Sequence, residues 1–310
     1  MKIVRKALAL WGMAEASARL VAARENAVYR IAHASGLFAL RLHRQGYRTD
    51  AQLTAELDWM AMLTRAGLSV PAPIRSLAGP HLQSVEGIQV DVLTWMDGET
   101  LDRALPKQDA CIRRAVFERL GQTMARMHEA CDTWPDAATC DRPAWDSTGL
   151  LGEAPLWDRF WDNPALSAPQ KTLMQTFRAR ALETLSRLGP SLDYGLIHAD
   201  LVPANVMWTG ADLHLIDFDD GGFGFRLFDI ATALFKHRNA PDYDDLHSAL
   251  LRGYASVRPI DLDLLPLFLA LRAVTYVGWN ITREPDAEHS GRNARFIAQA
   301  EEVVSAYLDA

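Results

Sequence analysis

The residues best equipped for chemistry sit in one short stretch, His198-Ala-Asp200-Leu-Val-Pro-Ala-Asn205, followed by Ile216-Asp217-Phe218-Asp219. Leu196-Ile-His198 reads as a strand entering a loop and Val206-Met-Trp208 as a second strand. Thr209 to Asp212 reads as a turn, and Leu213-His-Leu-Ile216 as a third strand ending on Asp217. Asp200 therefore follows a strand on a loop, while Asn205 and Asp217 flank the open side of a short hairpin. Oxygen-bearing side chains at one hairpin end can share a cation, and a carboxylate on the adjoining loop can take the proton of a hydroxyl. These are the needs of phosphoryl transfer: hard oxygens to hold Mg2+ against nucleotide phosphates, and a base to orient the accepting group. Taken singly, a histidine on a strand is ordinary core and an aspartate at a strand end is ordinary turn chemistry; only the set, at this spacing, points further.

The elements that must position this stretch fall into two kinds. Upstream, Val28-Tyr-Arg-Ile31 and Leu37-Phe-Ala-Leu-Arg-Leu42, separated by Ala34-Ser-Gly36, predict a hairpin. A helix follows from Thr49 to about Arg65, ended by Gly67, and a second pair of strands is expected around 81–85 and 88–96, closing at Asp97-Gly98. After that the pattern turns helical, with an amphipathic helix from Asp109 to Ala130 and helical spacing beyond about 165, apart from the β patch. The expectation is an α+β chain of two parts, 1–98 with a small antiparallel sheet and one helix, and 99–310, larger and mostly helical. Trp134, Trp145, Trp157 and Trp161 make the irregular stretch 132–170 an ordered insertion, because aromatic residues of that size need burial.

Composition narrows the partners. The 310 residues are 49% hydrophobic, ample for a core, and the formal charge of -7 argues against nucleic acid or a polybasic membrane contact. The most apolar run, Leu262 to Trp279, is interrupted by Asp263, Pro266 and Arg272 and falls short of a membrane span. Cys111, Cys131 and Cys140 are odd in number and lack a CxxC spacing, so a reducing, cytoplasmic setting is expected. Lys2, Arg5 and Lys6 precede Ala7 to Ala14 in the manner of a signal peptide, but the run is short and alanine-rich, and an amphipathic helix over roughly 7 to 23 accounts for the same residues. Gly221-Gly-Phe-Gly224 opens no strand-to-helix turn, and G-x-S-x-G and H-E-x-x-H are absent, which removes the dinucleotide, serine-hydrolase and zincin readings.

The order H-x-D-x-x-x-x-N, a short hairpin and then I-D-F resembles the catalytic loop and metal segment of protein kinases. It is most similar to the aminoglycoside phosphotransferase and choline kinase family, which also places a non-basic residue where Ala199 stands and lacks the glycine that Asp219 replaces. Arg226-Leu-Phe-Asp229-Ile-Ala likewise looks like that family's helix start behind the metal segment.

The resemblance implies a two-lobed kinase-like fold using ATP and Mg2+, with Asp200 as catalytic base, Asn205 and Asp217 as metal ligands, His198 as support and Asp229 as a cap on the loop. It also implies that Arg41, in Phe38-Ala-Leu-Arg41-Leu, takes the place of the phosphate-binding lysine, with Glu56 as its ion-pair partner. Asn26 stands in the glycine-poor phosphate segment 24–29, and the backbone groups of Thr94 and Met96 form the adenine-binding hinge.

The acceptor implied is a hydroxyl of a small molecule. Amino alcohols, homoserine-like compounds and aminoglycosides all occur in the family; a protein Ser/Thr kinase and a regulatory pseudokinase are the alternatives. Tyr276, Trp279 and Asp220 are candidates for an aromatic, acidic pocket that would take an amine-bearing substrate, against the plainer reading of two core aromatics on a helix.

Overall fold

The computed structural model describes residues 2–23, 26–283 and 287–310. Along the chain the elements are α1 (Lys2–Ala9), β1 (Ser17–Ala23), β2 (Asn26–His33), β3 (Gly36–His43), α2 (Asp50–Arg65), β4 (Gln83–Val85), β5 (Ile88–Thr94), β6 (Glu99–Thr100), α3 (Leu101–Ala104) and α4 (Ala110–Asp132). There follow β7 (Ala144–Trp145), α5 (Ser147–Leu151), α6 (Ala168–Leu188), β8 (Tyr194–Ile197), β9 (Val206–Trp208), β10 (Leu213–Leu215), β11 (Gly222–Phe225), α7 (Arg226–Phe235), α8 (Tyr243–Ala255), α9 (Leu265–Trp279) and α10 (Ala287–Leu308). They divide into two compact units. The first comprises 1–107 with 133–142 and 204–219, and the second 108–132, 143–203 and 220–310. The Trp-rich stretch is thus shared out, and the hairpin β9–β10 belongs with the N-terminal sheet.

In the first unit a five-stranded sheet runs in the order β1-β2-β3-β5-β4, antiparallel throughout. Strand side chains alternate between faces, so the register pairing Leu40 with Val92 and Leu42 with Val90 puts those four in the core, together with Val4, Leu8 and Trp11. The same alternation turns the intervening pair, Arg41 opposite Asp91, to the other face. Helix α2 is started by a capping box between Thr49 and Gln52 and buries Leu53, Glu56, Leu57, Met60 and Leu63. A glutamate in that buried row must be paired.

The helix expected over 7 to 23 is not formed as such: α1 stops at Ala9, and 17–23 is a strand. Gly12 adopts φ +71, Gly12 N–H donates to Ala9 and Met13 N–H to Leu8, the left-handed stop that ends helices at glycine. Ser17 to Ala23 then takes up hydrogen bonds from β2, a tertiary pairing that outweighs the helical propensity of its alanines.

The second unit is helical apart from a small sheet, β7-β11-β8. Helix α9 is apolar on nearly every side and buries twelve of its residues from Leu265 to Gly278, and all ten residues of α7 are buried too. Trp145 and Trp161 are buried, and Trp145 stacks on Phe228 with ring centroids 5.4 Å apart. Helices α4 and α8 cross where neither has a side chain. A Cβ at Gly121 would lie 2.0 Å from Leu250 O, and one at Gly253 would lie 1.9 Å from Glu118 O. Gly121→Ala is therefore expected to destabilise the chain by about 1–3 kcal/mol or more, because backbone must move to admit the methyl. A change below about 0.5 kcal/mol in chemical denaturation would contradict that crossing.

Candidate active site

In the second unit, β8 delivers the chain into His198, Ala199 and Asp200. Asp229, on the first turn of α7, accepts from His198 N–H at 2.9 Å and Ala199 N–H at 2.7 Å, so one buried carboxylate holds two successive backbone amides. Its remaining partner is His128 of α4, whose Nε2 lies 3.0 Å away while Nδ1 faces Tyr254 Oη at 2.8 Å. Burial and the nearby Arg226 push His128 down to about 4, so the imidazole is neutral and donates Nε2–H to Asp229. Burial alone would raise the Asp229 carboxyl, but the hydrogen bonds from His128 and His198 outweigh it and keep it ionised.

Pinned in this way, Ala199 sits at φ +63, a left-handed conformation unfavourable for alanine by about 1–3 kcal/mol. His198, wholly buried, offers Nδ1 to Asp200 N–H at 3.4 Å.

Asp200 itself is held by a residue absent from the sequence-based set. Arg272 of α9 donates through Nη2 to Asp200 Oδ1 at 2.6 Å and to Tyr276 Oη at 2.7 Å, and through Nη1 to Ala199 O at 3.2 Å. The guanidinium is fully buried, with Trp157 and Tyr276 rings 5.0 and 4.3 Å from its Cζ. Burial disfavours its charge, and Tyr276 and Asp200 restore it. A charge-assisted bond of this kind fixes a carboxylate in one orientation. In the sequence Arg272 showed itself only as an interruption of an apolar run, yet a charge inside an apolar helix always asks for its partner.

In the first unit, β9 and β10 close the hairpin, and Ile216 N–H donates to Asn205 O at 3.0 Å, which sets Asn205 and Asp217 at one end of it. Asp217, like Ala199, has positive φ, here +67. Of the four described non-glycine residues at positive φ, Glu86 and Asp158 lie elsewhere, while one sits beside the candidate base and one is a candidate ligand, so part of the backbone strain falls on the chemical segment. Among the described residues no three His, Cys, Asp or Glu side chains converge to hold a metal. One amide and one carboxylate oxygen nonetheless suit Mg2+, which keeps waters and takes much of its shell from substrate phosphates.

Around Arg41 the structure places a buried charge cluster. Its Nε and Nη2 donate to the two oxygens of Asp91, both at 2.9 Å, and Nη1 donates to Glu56 at 2.7 Å and to Asp219 at 3.5 Å. His43 adds Nε2 to Asp91 at 2.6 Å, and Asn26 bridges His43 and Asp219 at 3.1 and 2.5 Å. Arg142 completes the group, reaching Glu56 at 3.2 Å and the carbonyls of Phe218 and Asp219 at 2.8 and 2.7 Å. Burial and the neighbouring Glu56 raise the Asp219 carboxyl above its ordinary range.

Sequence reasoning named Arg41, Glu56 and Asn26 but missed Asp91, His43, Arg142 and Asp219 as their partners. The available signal was Val90-Asp91-Val92, a carboxylate inside an apolar strand. Arg24 and Glu25 of the segment 24–29 lie outside the described residues. At the hinge, Thr94 N–H is taken by Ala72 O at 2.9 Å, so its donor is not available to a base; its Oγ1 accepts from Ala72 N–H at 2.8 Å and points to Met96 Sδ at 4.0 Å.

The rings of Tyr276 and Trp279, candidates for an amine-binding pocket with Asp220, already carry cations of the chain itself. Lys236 Nζ stands 4.2 Å and Arg272 Cζ 4.3 Å from the Tyr276 centroid, and Arg292 Cζ 5.1 Å from that of Trp279. Asp220 uses its carbonyl for Trp145 Nε1 at 2.8 Å.

The model of the phosphotransferase enzyme family matches residues 17–260. The chain belongs to that family. It is 28% identical to a homoserine kinase of Chelativorans sp. over 88% of this chain and 80% of that one. A solved structure of a microcompartment-associated aminopropanol kinase superposes with a TM-score of 0.86 at 28% identity, covering 99% of this chain and 97% of the other. An amicoumacin kinase solved in complex with AMP-PNP, Ca2+ and Ami shares the fold at a TM-score of 0.77 and 21% identity, covering 97% and 92%. The chain is accordingly a small-molecule kinase, a phosphotransferase with an alcohol group as acceptor, and its α+β kinase-like fold is that of the family. Among the described residues no helix is long and apolar enough to cross a membrane.

Proposed function

We propose that the chain moves the γ-phosphoryl group of ATP, with Mg2+, to the hydroxyl of a small alcohol, Asp200 acting as base. The observation that carries this reading is the double anchoring of the loop: Asp229 fixes its backbone and Arg272 fixes the Asp200 carboxylate. Preorganisation of this sort is what general-base catalysis requires, since the carboxylate must wait at the place where the hydroxyl proton leaves. The proton passes from the acceptor hydroxyl to an Asp200 oxygen as the acceptor oxygen bonds to phosphorus and the bond to the leaving nucleoside diphosphate breaks.

Asn205 and Asp217 are the side chains that would hold Mg2+, which supplies charge to the polyphosphate. Arg41, oriented by Glu56 and Asp91, turns a donor to phosphate by giving up its longest bond, that to Asp219. The adenine edge is read by the backbone of Met96 and the carbonyl of Thr94. His198 and Asp229 support the loop. Three cysteines outside any disulfide suit the reducing cytoplasm, and burial pushes the Cys140 thiol up to about 11, where it is inert.

Turnover with Mg-ATP against a panel of amino alcohols, hydroxy amino acids and aminoglycosides tests the reading. Asp217→Asn is expected to raise the Mg2+ concentration needed for half-maximal rate by about tenfold, equivalent to about 1.4 kcal/mol of metal affinity. An unchanged Mg2+ requirement would remove Asp217 from the metal site.

A further inference from the structure

A cavity of about 290 Å³ opens in the second unit among Lys236, Arg238, Asn239, Arg292, Arg295 and Phe296. Its volume lies at the lower edge of the roughly 300–1,000 Å³ typical of ligand pockets. No carboxylate is among its described lining residues. Arg238 is neutralised by Glu302 at 2.5 Å, and Arg292 donates through Nε to Asn280 at 3.1 Å. Arg295 is exposed, and among the described residues neither it nor Lys236 has a hydrogen bond or an ion pair. Lys236 instead lies on aromatic rings, with Nζ 4.2 Å from the Tyr276 centroid and 5.1 Å from that of Phe296.

The cavity is tied to Asp200 through a short series of contacts. Phe296 on its wall stacks on Tyr276 at 4.9 Å, Tyr276 Oη meets Arg272 Nη2 at 2.7 Å, and the same Nη2 meets Asp200 at 2.6 Å. Burial and the charge of Arg272 push the Lys236 ammonium down to about 8, and the Asp200 carboxylate acts in the opposite sense. An anion beside Lys236 would relieve that strain, whereas an amine would add a further positive charge to a wall that already holds several.

We infer that this cavity is the acceptor's anion subsite: the small alcohol phosphorylated at Asp200 carries a negative head group, a carboxylate or a phosphate, held by Lys236 and Arg295. The inference rests on Asp200 as the base. It selects among small alcohols by charge, with hydroxy acids and phosphorylated alcohols favoured over simple amino alcohols, because like charge in a confined cleft rejects the wrong ligand as effectively as opposite charge attracts the right one.

The test uses the full chain with Mg-ATP and four acceptors. Homoserine and 3-aminopropan-1-ol differ only in the carboxylate; 4-hydroxybutyrate keeps the carboxylate without the amine, and glycerol 3-phosphate offers a phosphate. An anionic acceptor is expected to exceed 3-aminopropan-1-ol in kcat/KM by about tenfold or more. Lys236→Glu should raise KM for that acceptor by at least about tenfold with a smaller effect on kcat, and narrow or reverse the preference. Arg295→Glu, at an exposed position, is the second variant and should act in the same direction. Preference for homoserine and 4-hydroxybutyrate identifies a carboxylate, and preference for glycerol 3-phosphate a phosphate; either supports the subsite. Equal or better use of 3-aminopropan-1-ol by the wild type overturns it, as does an unchanged KM in both variants. Turnover of the amine alone, lost in Asp200→Asn, would discard the subsite and leave Asp200 as base, whereas wild-type turnover of none of the four would count against both.

Discussion

Asp200→Asn should lower the rate of acceptor phosphorylation by about 10²–10⁴-fold, the contribution of a positioned general base. The substitution keeps the shape of the side chain and an oxygen for Arg272 to bond at Oδ1, so the loop held by Asp229 should persist. What is lost is the capacity to accept the hydroxyl proton, together with the charge that Arg272 balances. The loss therefore belongs in kcat, with the dissociation constant for ATP changed little. Steady-state kinetics beside a nucleotide-binding titration decides the matter. Wild-type rates in the variant would remove Asp200 from the chemistry, and a collapse of ATP binding together with kcat would make its role structural.

The largest effect on stability is expected from Asp91→Ala. Asp91 receives both arms of the Arg41 fork and the His43 ring, and all three side chains are buried. Truncating one member of such a cluster leaves a buried guanidinium short of a partner, an effect of about 3–5 kcal/mol. At roughly 2–4 °C per kcal/mol for a chain of this size, the melting temperature should fall by about 10 °C. A shift below about 2 °C would show that Glu56 and Asp219 suffice for Arg41.

The sign of the pH dependence follows from the same contacts. Burial alone would raise the Asp91 carboxyl, but Arg41 and His43 hold it far below the usual carboxylate range. Its stabilising contribution is therefore fully present above the unfolded value near 4 and is lost only as pH falls toward the depressed folded value.

The parts of this architecture legible in the sequence are those encoded by local pattern. The strand–loop–hairpin from Leu196 to Asp217 shows in its period-two runs and its turn, and α2 in its apolar spacing with a capping box at Thr49. What escaped was set by partners distant along the chain. Arg142 finds Glu56 86 positions away, Arg272 finds Asp200 72 away, and His128 finds Asp229 101 away. Each long-range partner left only half a clue, a charge within an apolar segment, as with Asp91 in β5 and Arg272 in α9. Strand β1 was missed for the opposite reason. Its own residues favour a helix, and only the unpaired edge of β2 makes it a strand.

The buried Arg272 has a consequence for how the chain assembles. Seating α9 without its guanidinium partnered would leave an uncompensated charge in the core, so the helix gains its full stability only once the turn at Ala199 and Asp200 is in place. Completion of the C-terminal core and arming of the base then become a single cooperative event, and a chain folded well enough to bury α9 already presents its carboxylate correctly.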